Sequence, residues 1–291
     1  MVDREVKEYI DEVIESDKLR DRFFSWNFFV KYGKYLTEEQ ISRILDRDDV
    51  IYTYLYLFAG ENFTPELIDK ALDKGRDFIY LYDKAGENFD ENNIRKAIRI
   101  GKNLAVLFEY VGYRFTPELV EEAMNAIEKS DMLRALKSEI LKSLYKGAKD
   151  VFIPELVDKA IDIGVGLQYL FKNVNEIITY ENIHKALDKI LSNYNLYDED
   201  LSSLFMYVGY KLDFEHVVRV MVDSNISEVD KDSLLEILRE VNPDLYGVVM
   251  KYEGRLVEYY YPEVKYFEEK TYKVDRFIDV LKIIYKDMIE S

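Results

Sequence analysis

The sequence predicts an all-α protein, an α-solenoid of about seven short helical hairpins with atypical capping helices at its two ends. The first observation is a decapeptide pattern that recurs at residues 36, 63, 89, 115, 152, 178 and 212. These starts are 27, 26, 26, 37, 26 and 34 residues apart, which indicates a 26-residue repeat with two insertions. The second observation is a glycine after many of the predicted helices. Helices of only about ten residues are marginal in water, so they must pack on their neighbours.

The decapeptide predicts the first helix of each hairpin, as Phe63–Leu72 shows. Thr64 is placed to cap the helix, and Pro65 occupies the first helical position, where its missing N–H costs nothing. Apolar residues then recur on one helical face, and Gly75 suits a left-handed C-terminal stop. The other predicted caps are Thr37, Asp90, Thr116, Thr179 and Asp213, and the other left-handed stops are Gly101 and Gly164. Ile153 stands at the cap position without a capping oxygen.

A second, shorter helix is predicted after each decapeptide from a leucine followed by an aromatic residue. The pairs are Leu55–Tyr56, Leu81–Tyr82, Leu107–Phe108, Leu170–Phe171 and Leu204–Phe205, and the glycines expected to end these helices are Gly60, Gly86, Gly112 and Gly209. In the 37-residue step, five residues predict a longer second helix, namely Leu133, Leu136, Ile140, Leu141 and Leu144.

The ends of the chain depart from the pattern, which predicts capping helices over 1–32 and 242–291 around an array over 33–241. Residues 2–14 form one amphipathic pattern, and Leu19–Tyr32 is aromatic nearly all round. A helix from Pro243 is favoured for 246–261, although a hairpin through Glu253 and Gly254 is the alternative. Asp275–Ile289 is predicted to close the chain as a helix.

The hairpins resemble ankyrin, tetratricopeptide and HEAT repeats in architecture alone. The 26-residue step is shorter than theirs, and none of their signature residues is present. The resemblance therefore implies an extended binding surface, and it assigns no role to any single residue.

The composition excludes several classes of protein. A net charge of −17 opposes direct binding to nucleic acid and to anionic membranes. The absence of cysteine excludes disulfides and thiolate ligands. A separate feature, a highly charged composition with only two glutamines, is typical of heat-adapted proteins. No apolar run is long enough to span a membrane, and the charged start does not read as a signal peptide, so a cytoplasmic location is expected.

No catalytic, cofactor-binding or metal-binding residues are predicted, and a non-enzymatic protein is expected. Phosphate-binding glycine loops and nucleophile elbows are absent from the sequence. His184 and His216, the only histidines, lack metal-ligand spacing and are interpreted as helix-surface or groove-edge residues. The acidic runs Asp46–Asp49 and Asp198–Asp200 are interpreted as solvated loop and cap residues.

One position of the decapeptide is basic in six of the seven segments. The residues are Arg43, Lys70, Lys96, Lys159, Lys185 and Arg219, with Glu122 the exception. A phosphate-binding face is one interpretation of this pattern. Pairs within each helix are favoured, because a glutamate stands four residues earlier in five of the segments, at Glu39, Glu66, Glu155, Glu181 and Glu215.

Tyrosine is the most distinctive residue type, with 25 copies. Stacking between hairpins is the plainer interpretation of these residues, and a tyrosine-lined groove for a protein partner is the functional one. The candidate partner-binding residues are Tyr52, Tyr54, Tyr80, Tyr110, Tyr169 and Tyr207.

The hypothesis favoured by the sequence is a helical-repeat scaffold that binds a protein partner. Two alternatives stay open. One is an acidic decoy that occupies a nucleic-acid-binding protein, and the other is a viral or assembly protein. In the latter case, copies of the chain would associate through terminal aromatic residues, which are Phe23–Phe29 and Tyr259–Tyr261.

Overall fold

The computed structural model describes residues 4–223 and 225–260. Over these residues it has seventeen α-helices and no strand, which confirms the all-α prediction. The chain divides into two compact units, residues 1–152 and residues 153–291. The sequence boundaries after residues 32 and 241 stay predictions, and the closing helix predicted at Asp275–Ile289 lies outside the described residues.

The first unit contains ten α-helices. They are α1 Arg4–Glu15, α2 Arg22–Tyr32, α3 Glu38–Leu45, α4 Tyr52–Ala59, α5 Pro65–Lys74, α6 Phe78–Ala85, α7 Glu91–Ile100, α8 Leu104–Val111, α9 Pro117–Lys129 and α10 Arg134–Gly147. Each odd-numbered helix from α1 to α7 contacts the next odd-numbered helix, and each even-numbered helix from α2 to α8 contacts the next even-numbered one.

The described part of the second unit contains seven α-helices. They are α11 Pro154–Ile163, α12 Leu167–Val174, α13 Tyr180–Leu191, α14 Tyr194–Val208, α15 Phe214–Met221, α16 Glu228–Val241 and α17 Pro243–Tyr260. Odd-numbered helices again contact the next odd-numbered helix, and α12, α14 and α16 are packed in the same order. Because α17 is one helix through residue 260, the helix prediction for residues 246–260 is confirmed and the hairpin alternative is wrong there.

The local signals for helix ends are largely confirmed. The hydroxyl of Thr37 and the carboxylate of Asp90 each accept the backbone N–H three residues on, whereas Thr64 and Ile153 make no side-chain cap bond. Gly75, Gly101 and Gly164 have φ of 69°, 72° and 65°, the left-handed stop that glycine adopts without a steric penalty.

In the first unit, aromatic edge-to-face pairs join the second helices α4, α6, α8 and α10 to the decapeptides that follow them. In four successive places, the buried aromatic ring of the second helix meets the first residue of the decapeptide with ring centroids 5.7 Å apart. The pairs are Tyr56–Phe63, Tyr82–Phe89, Phe108–Phe115 and Tyr145–Phe152. The leucine–aromatic pattern therefore marks a buried contact in the core of this unit.

The glycines that follow the second helices are required by close packing, which the sequence alone does not show. Gly60 and Gly112 have φ of −58° and −56°, so they are right-handed and need no special backbone freedom. A side chain has no room at these positions, because the next even-numbered helix packs directly against the glycine. A Cβ added at Gly112 would lie 2.8 Å from the backbone carbon of Gly147, and one added at Gly33 would lie 2.7 Å from Phe58 Cβ.

Candidate functional site

The six tyrosines expected to bind a partner fall into three groups. Tyr80 and Tyr110 are exposed, at 37% and 41%, and Tyr169 and Tyr207 are partly exposed. Tyr52 and Tyr54 are buried, at 1% and 8%, so assigning them to a binding surface is wrong.

The aromatic N-terminal segment explains why Tyr54 is buried. The Trp26 ring lies edge-on to the Tyr54 ring at 5.2 Å, and Arg22 Nε donates to the Tyr54 hydroxyl at 3.1 Å. The Tyr52 hydroxyl donates to the carbonyl of Arg47, inside its own hairpin. Alternating tyrosines on α4 therefore face two different neighbours, and neither of these two faces solvent.

Tyr80 and Tyr110 define an exposed surface on two helices in contact. Tyr80 is the third residue of α6 and Tyr110 is the seventh residue of α8, and positions four apart lie on one face of a helix. Helices α6 and α8 are in contact, so the two exposed tyrosines lie on neighbouring helices. Ile79 and Tyr113 are also exposed, and we call these four residues the α6–α8 surface.

The basic position of the decapeptide forms ion pairs between helices. Lys96 Nζ lies 2.8 Å from carboxylate oxygens of both Asp69 and Asp73 on α5. In the second unit, Lys185 Nζ lies 3.0 Å from a carboxylate oxygen of Asp158 and 2.8 Å from one of Asp162. The same link joins Lys70 to Asp46 at 2.7 Å, Arg43 to Asp11 at 2.7 Å, and Arg219 to Asp188.

For five of the six cations, these cross-helix ion pairs replace the pairs expected within a helix, since the cations face carboxylates on or next to the preceding odd-numbered helix. They also occupy the cations that a phosphate-binding face would need. Partial desolvation lowers the pKa of the Lys96 ammonium, but hydrogen bonds to Asp69 and Asp73 outweigh it, so its net pKa lies above the ordinary lysine value.

The one acidic exception confirms this pairing rule. Glu122 Oε1 on α9 lies 2.8 Å from Arg95 Nε on α7. Arg95 occupies the position at which α5 and α11 carry Asp69 and Asp158. The polarity of the pair is reversed between α7 and α9, and the attraction is kept. The sequence does contain this signal, as an acid at position seven of one decapeptide or directly after its last residue, and a base at position eight of the next.

Buried polar residues at the third helical position make a second link between odd-numbered helices. Asn93 closes a capping box with Asp90, and its Nδ2 also donates to the carbonyl of Pro65 on α5 at 3.1 Å. Asn182 does the same with Thr179 and with the carbonyl of Pro154, at 3.4 Å. One amide thus caps its own helix and fixes the neighbouring helix.

The two histidines are in contact, which the sequence interpretation missed. The His184 and His216 rings lie 4.4 Å apart, and Tyr180 lies 4.5 Å from the first and 4.7 Å from the second. We call these three residues the histidine cluster. His216 is fully buried, so its assignment to a helix surface or groove edge is wrong, while His184 is half-buried.

Carboxylates surround the histidine cluster. Desolvation, followed by hydrogen bonds and charge from Asp213 and Glu215, raises the pKa of Tyr180 to about 12. Burial lowers the pKa of His216 below its ordinary value, although Asp213 opposes the change. Burial therefore favours the neutral form of the His216 ring.

Within residues 4–223 and 225–260, no group of three or more His, Asp or Glu residues is placed to hold a metal ion. In the same part of the chain, no helix has the length and apolar character needed to cross a membrane. Comparison of the chain with family models, curated proteins and solved structures gives no match.

One further decapeptide was missed by the sequence analysis. Residues 241–250 place Asn242 at the cap and Pro243 at the first helical position, and Asn242 Oδ1 accepts the backbone N–H of Leu245 at 3.2 Å. The helix that follows contacts α15, as an odd-numbered helix should. Val248 stands at the basic position, and α15 carries Val218 where other helices carry an acid, so both partners change together.

Proposed function

We propose that this chain is a non-enzymatic helical-repeat scaffold that binds a protein partner. In each unit, hairpins of about 26 residues would stack in register and leave one face of the shorter helices exposed. The regular order of contacts between odd-numbered helices, and between even-numbered ones, supports such stacking in both units.

The observation that carries the binding proposal is the exposure of Tyr80 and Tyr110 on the neighbouring helices α6 and α8. On the neighbouring α4, by contrast, Tyr52, Tyr54 and Tyr56 are all buried. Tyrosine presents a rigid apolar body with a polar tip, and it is enriched in the cores of protein interfaces.

The charges near this surface favour a basic partner segment. Helix α8 carries Glu109, which is exposed, and no lysine or arginine. Lys84 on α6 is paired with Asp83 at 3.1 Å, and Arg114, beside Tyr113, donates to the carbonyl of Glu87. The net charge of −17 would attract a cationic segment at long range. We therefore propose that the α6–α8 surface takes a basic segment with apolar side chains that cover the two tyrosine rings.

The test compares two double variants as baits for partner capture. Tyr80→Ser with Tyr110→Ser removes the proposed contacts, whereas Tyr9→Ser with Tyr35→Ser removes two exposed tyrosines elsewhere in the same unit. We expect the first pair to abolish capture of basic proteins, the control pair to retain it, and added salt to weaken it. Equal capture by both double variants would refute the binding proposal.

The acidic-decoy alternative requires a continuous negative face. The cross-helix ion pairs place Lys70, Lys96 and Lys185 among the carboxylates of the odd-numbered helices. Mixed charge of this kind argues against a phosphate-like array on those helices.

Self-association through the N-terminal segment is supported by one observation. Helix α2 leaves Phe23 exposed at 78%, with Trp26 and Val30 exposed three and seven residues further on, so they share one face. Trp26 is the only tryptophan, and its emission reports directly on this face. A blue shift with rising protein concentration, lost in Phe23→Ser, is expected; emission independent of concentration would exclude self-association there.

A further inference from the structure

The contact between α13 and α15 differs chemically from its equivalents in the same chain. At the third helical position, α3, α7 and α13 carry Gln40, Asn93 and Asn182, whose amides do not titrate. Helix α15 carries His216 there, in a capping box with Asp213. Its buried ring lies against His184, which projects from the facing helix α13.

The capping hydrogen bond of His216 competes with a second proton on the imidazole ring. Its Nδ1 is engaged by Asp213, with the backbone nitrogen at 3.2 Å and a carboxylate oxygen at 2.7 Å. Its Nε2 is buried and has no hydrogen-bond partner among the described residues. Because Nδ1 accepts the backbone N–H of Asp213, the single proton of the neutral ring lies on Nε2. A second proton on Nδ1 would break this capping bond and leave a buried charged ring whose Nε2–H is still unpaired.

The surrounding charges do not compensate for this proton. On α15, Asp213 and Glu215 favour it, but both carboxylates also interact with the Tyr180 hydroxyl. On α13, the charge of His184 opposes protonation of His216. Arg219 of α15 lies between the other groups of α13, with its Nη1 3.5 Å from His184 Nδ1 and its guanidinium paired with Asp188. Helix α17 also packs on α15, and the titratable residues of its first nine positions are Asp244, Tyr246 and Lys251.

We propose that the α13–α15 contact is an acid-sensitive joint, in which protonation of His216 beside His184 separates the two helices. Proton uptake at this contact requires the buried ring to reach water. The Tyr180 ring, which covers both imidazoles, would move with it, and the capping box at Asp213 would open.

The direction of the pH effect follows from linkage. Because burial lowers the pKa of His216, the closed contact binds fewer protons than the open one below about pH 6.5. Acid therefore favours opening, by up to tenfold in the opening equilibrium for each pH unit and each extra proton bound. Above the ordinary imidazole pKa both states are neutral, and no pH dependence arises from this residue.

Amide hydrogen exchange of the full chain between pH 8 and pH 5.5, corrected for the intrinsic exchange rate, tests the joint. We expect protection of α13 and α15 to fall below pH 6.5 by up to tenfold per pH unit, while α5 and α7 keep theirs. In His216→Asn, which copies the capping amide of Asn93 and Asn182, this dependence should vanish. The same pH dependence in His216→Asn and in the parent chain would overturn the proposal.

An imidazole titration of the parent chain by NMR decides the question if His216→Asn does not fold. The chain has only two histidines, so the variant His184→Gln assigns both signals. His216 should titrate below the ordinary value, with its midpoint coupled to the loss of amide protection. A midpoint at or above the ordinary value, with α13 and α15 still protected, would overturn the proposal.

Discussion

Two glycine-to-alanine substitutions should have opposite effects on stability. Gly147 ends α10, and an added Cβ there would lie 3.0 Å from the carbonyl carbon of Phe108 and closer still to its oxygen. Gly247 lies inside α17, and no heavy atom of the described residues lies within 4 Å of the equivalent Cβ. Both glycines lack a positive φ, so the backbone itself accepts alanine at either site.

The magnitudes follow from two effects of opposite sign. Alanine is favoured over glycine within a helix by about 0.8–1.0 kcal/mol, which applies fully to Gly247. At Gly147 the obstacle is backbone, which cannot rotate away, so the upper part of the usual overpacking range of about 1–3 kcal/mol applies. We expect Gly247→Ala to stabilise by about 1 kcal/mol and Gly147→Ala to destabilise by about 2 kcal/mol.

Urea unfolding followed by far-UV circular dichroism measures both variants against the parent chain. In thermal unfolding, these free energies correspond to Tm changes of about +2 to +4 °C for Gly247→Ala and −4 to −8 °C for Gly147→Ala. Stabilisation of both variants to the same extent would show that α10 does not approach α8 at backbone distance, and the account of these glycines would fail.

Three further predictions concern the pairs and caps. Arg95→Glu should destabilise by about 0.5–1 kcal/mol in urea unfolding, because it places two carboxylates together, and adding Glu122→Arg should restore the loss; no recovery would refute the cross-helix pairing. Thr37→Ala should cost about 1 kcal/mol in thermal unfolding, because it removes a capping box, whereas Thr64→Ala, which loses no cap bond, should cost less; equal costs would contradict this. Hydrogen bonds from Arg47 and Arg20 hold the pKa of Asp49 far below its ordinary value, so the stability that this carboxylate gives the fold is complete above about pH 4 and declines in acid. The difference in Tm between the parent chain and Asp49→Asn should therefore narrow as the pH falls. A constant difference would exclude this ion pair as its source.

Local features of the fold were predictable, because their causes lie within a few residues. The caps at Thr37 and Asp90 and the left-handed stop at Gly75 depend on neighbours in sequence, and the structure has them where the sequence indicated. The glycines after the second helices were predicted to end them, and they do. The close approach that requires a small residue there involves a helix more than twenty residues away.

Contacts between helices were predicted poorly, because the partner depends on which helices become neighbours. The bond from Lys96 to Asp69 spans 27 residues, whereas the glutamate pairing favoured from the sequence spans only four. The burial of Tyr52 and the meeting of His184 with His216 have the same cause. In each case the residue type was noticed, and the helix facing it was not known.

The reversed pair between α7 and α9 restricts the order in which these helices can be joined. If α9 directly followed α5, Glu122 would face Asp69 and Asp73, and three carboxylates would repel one another. If a copy of α7 followed α7, Lys96 would face Arg95 in the same way. Shuffled or duplicated versions of this chain would therefore be destabilised by like-charge repulsion at each misplaced junction. The charge of single side chains thus favours one order of the helices.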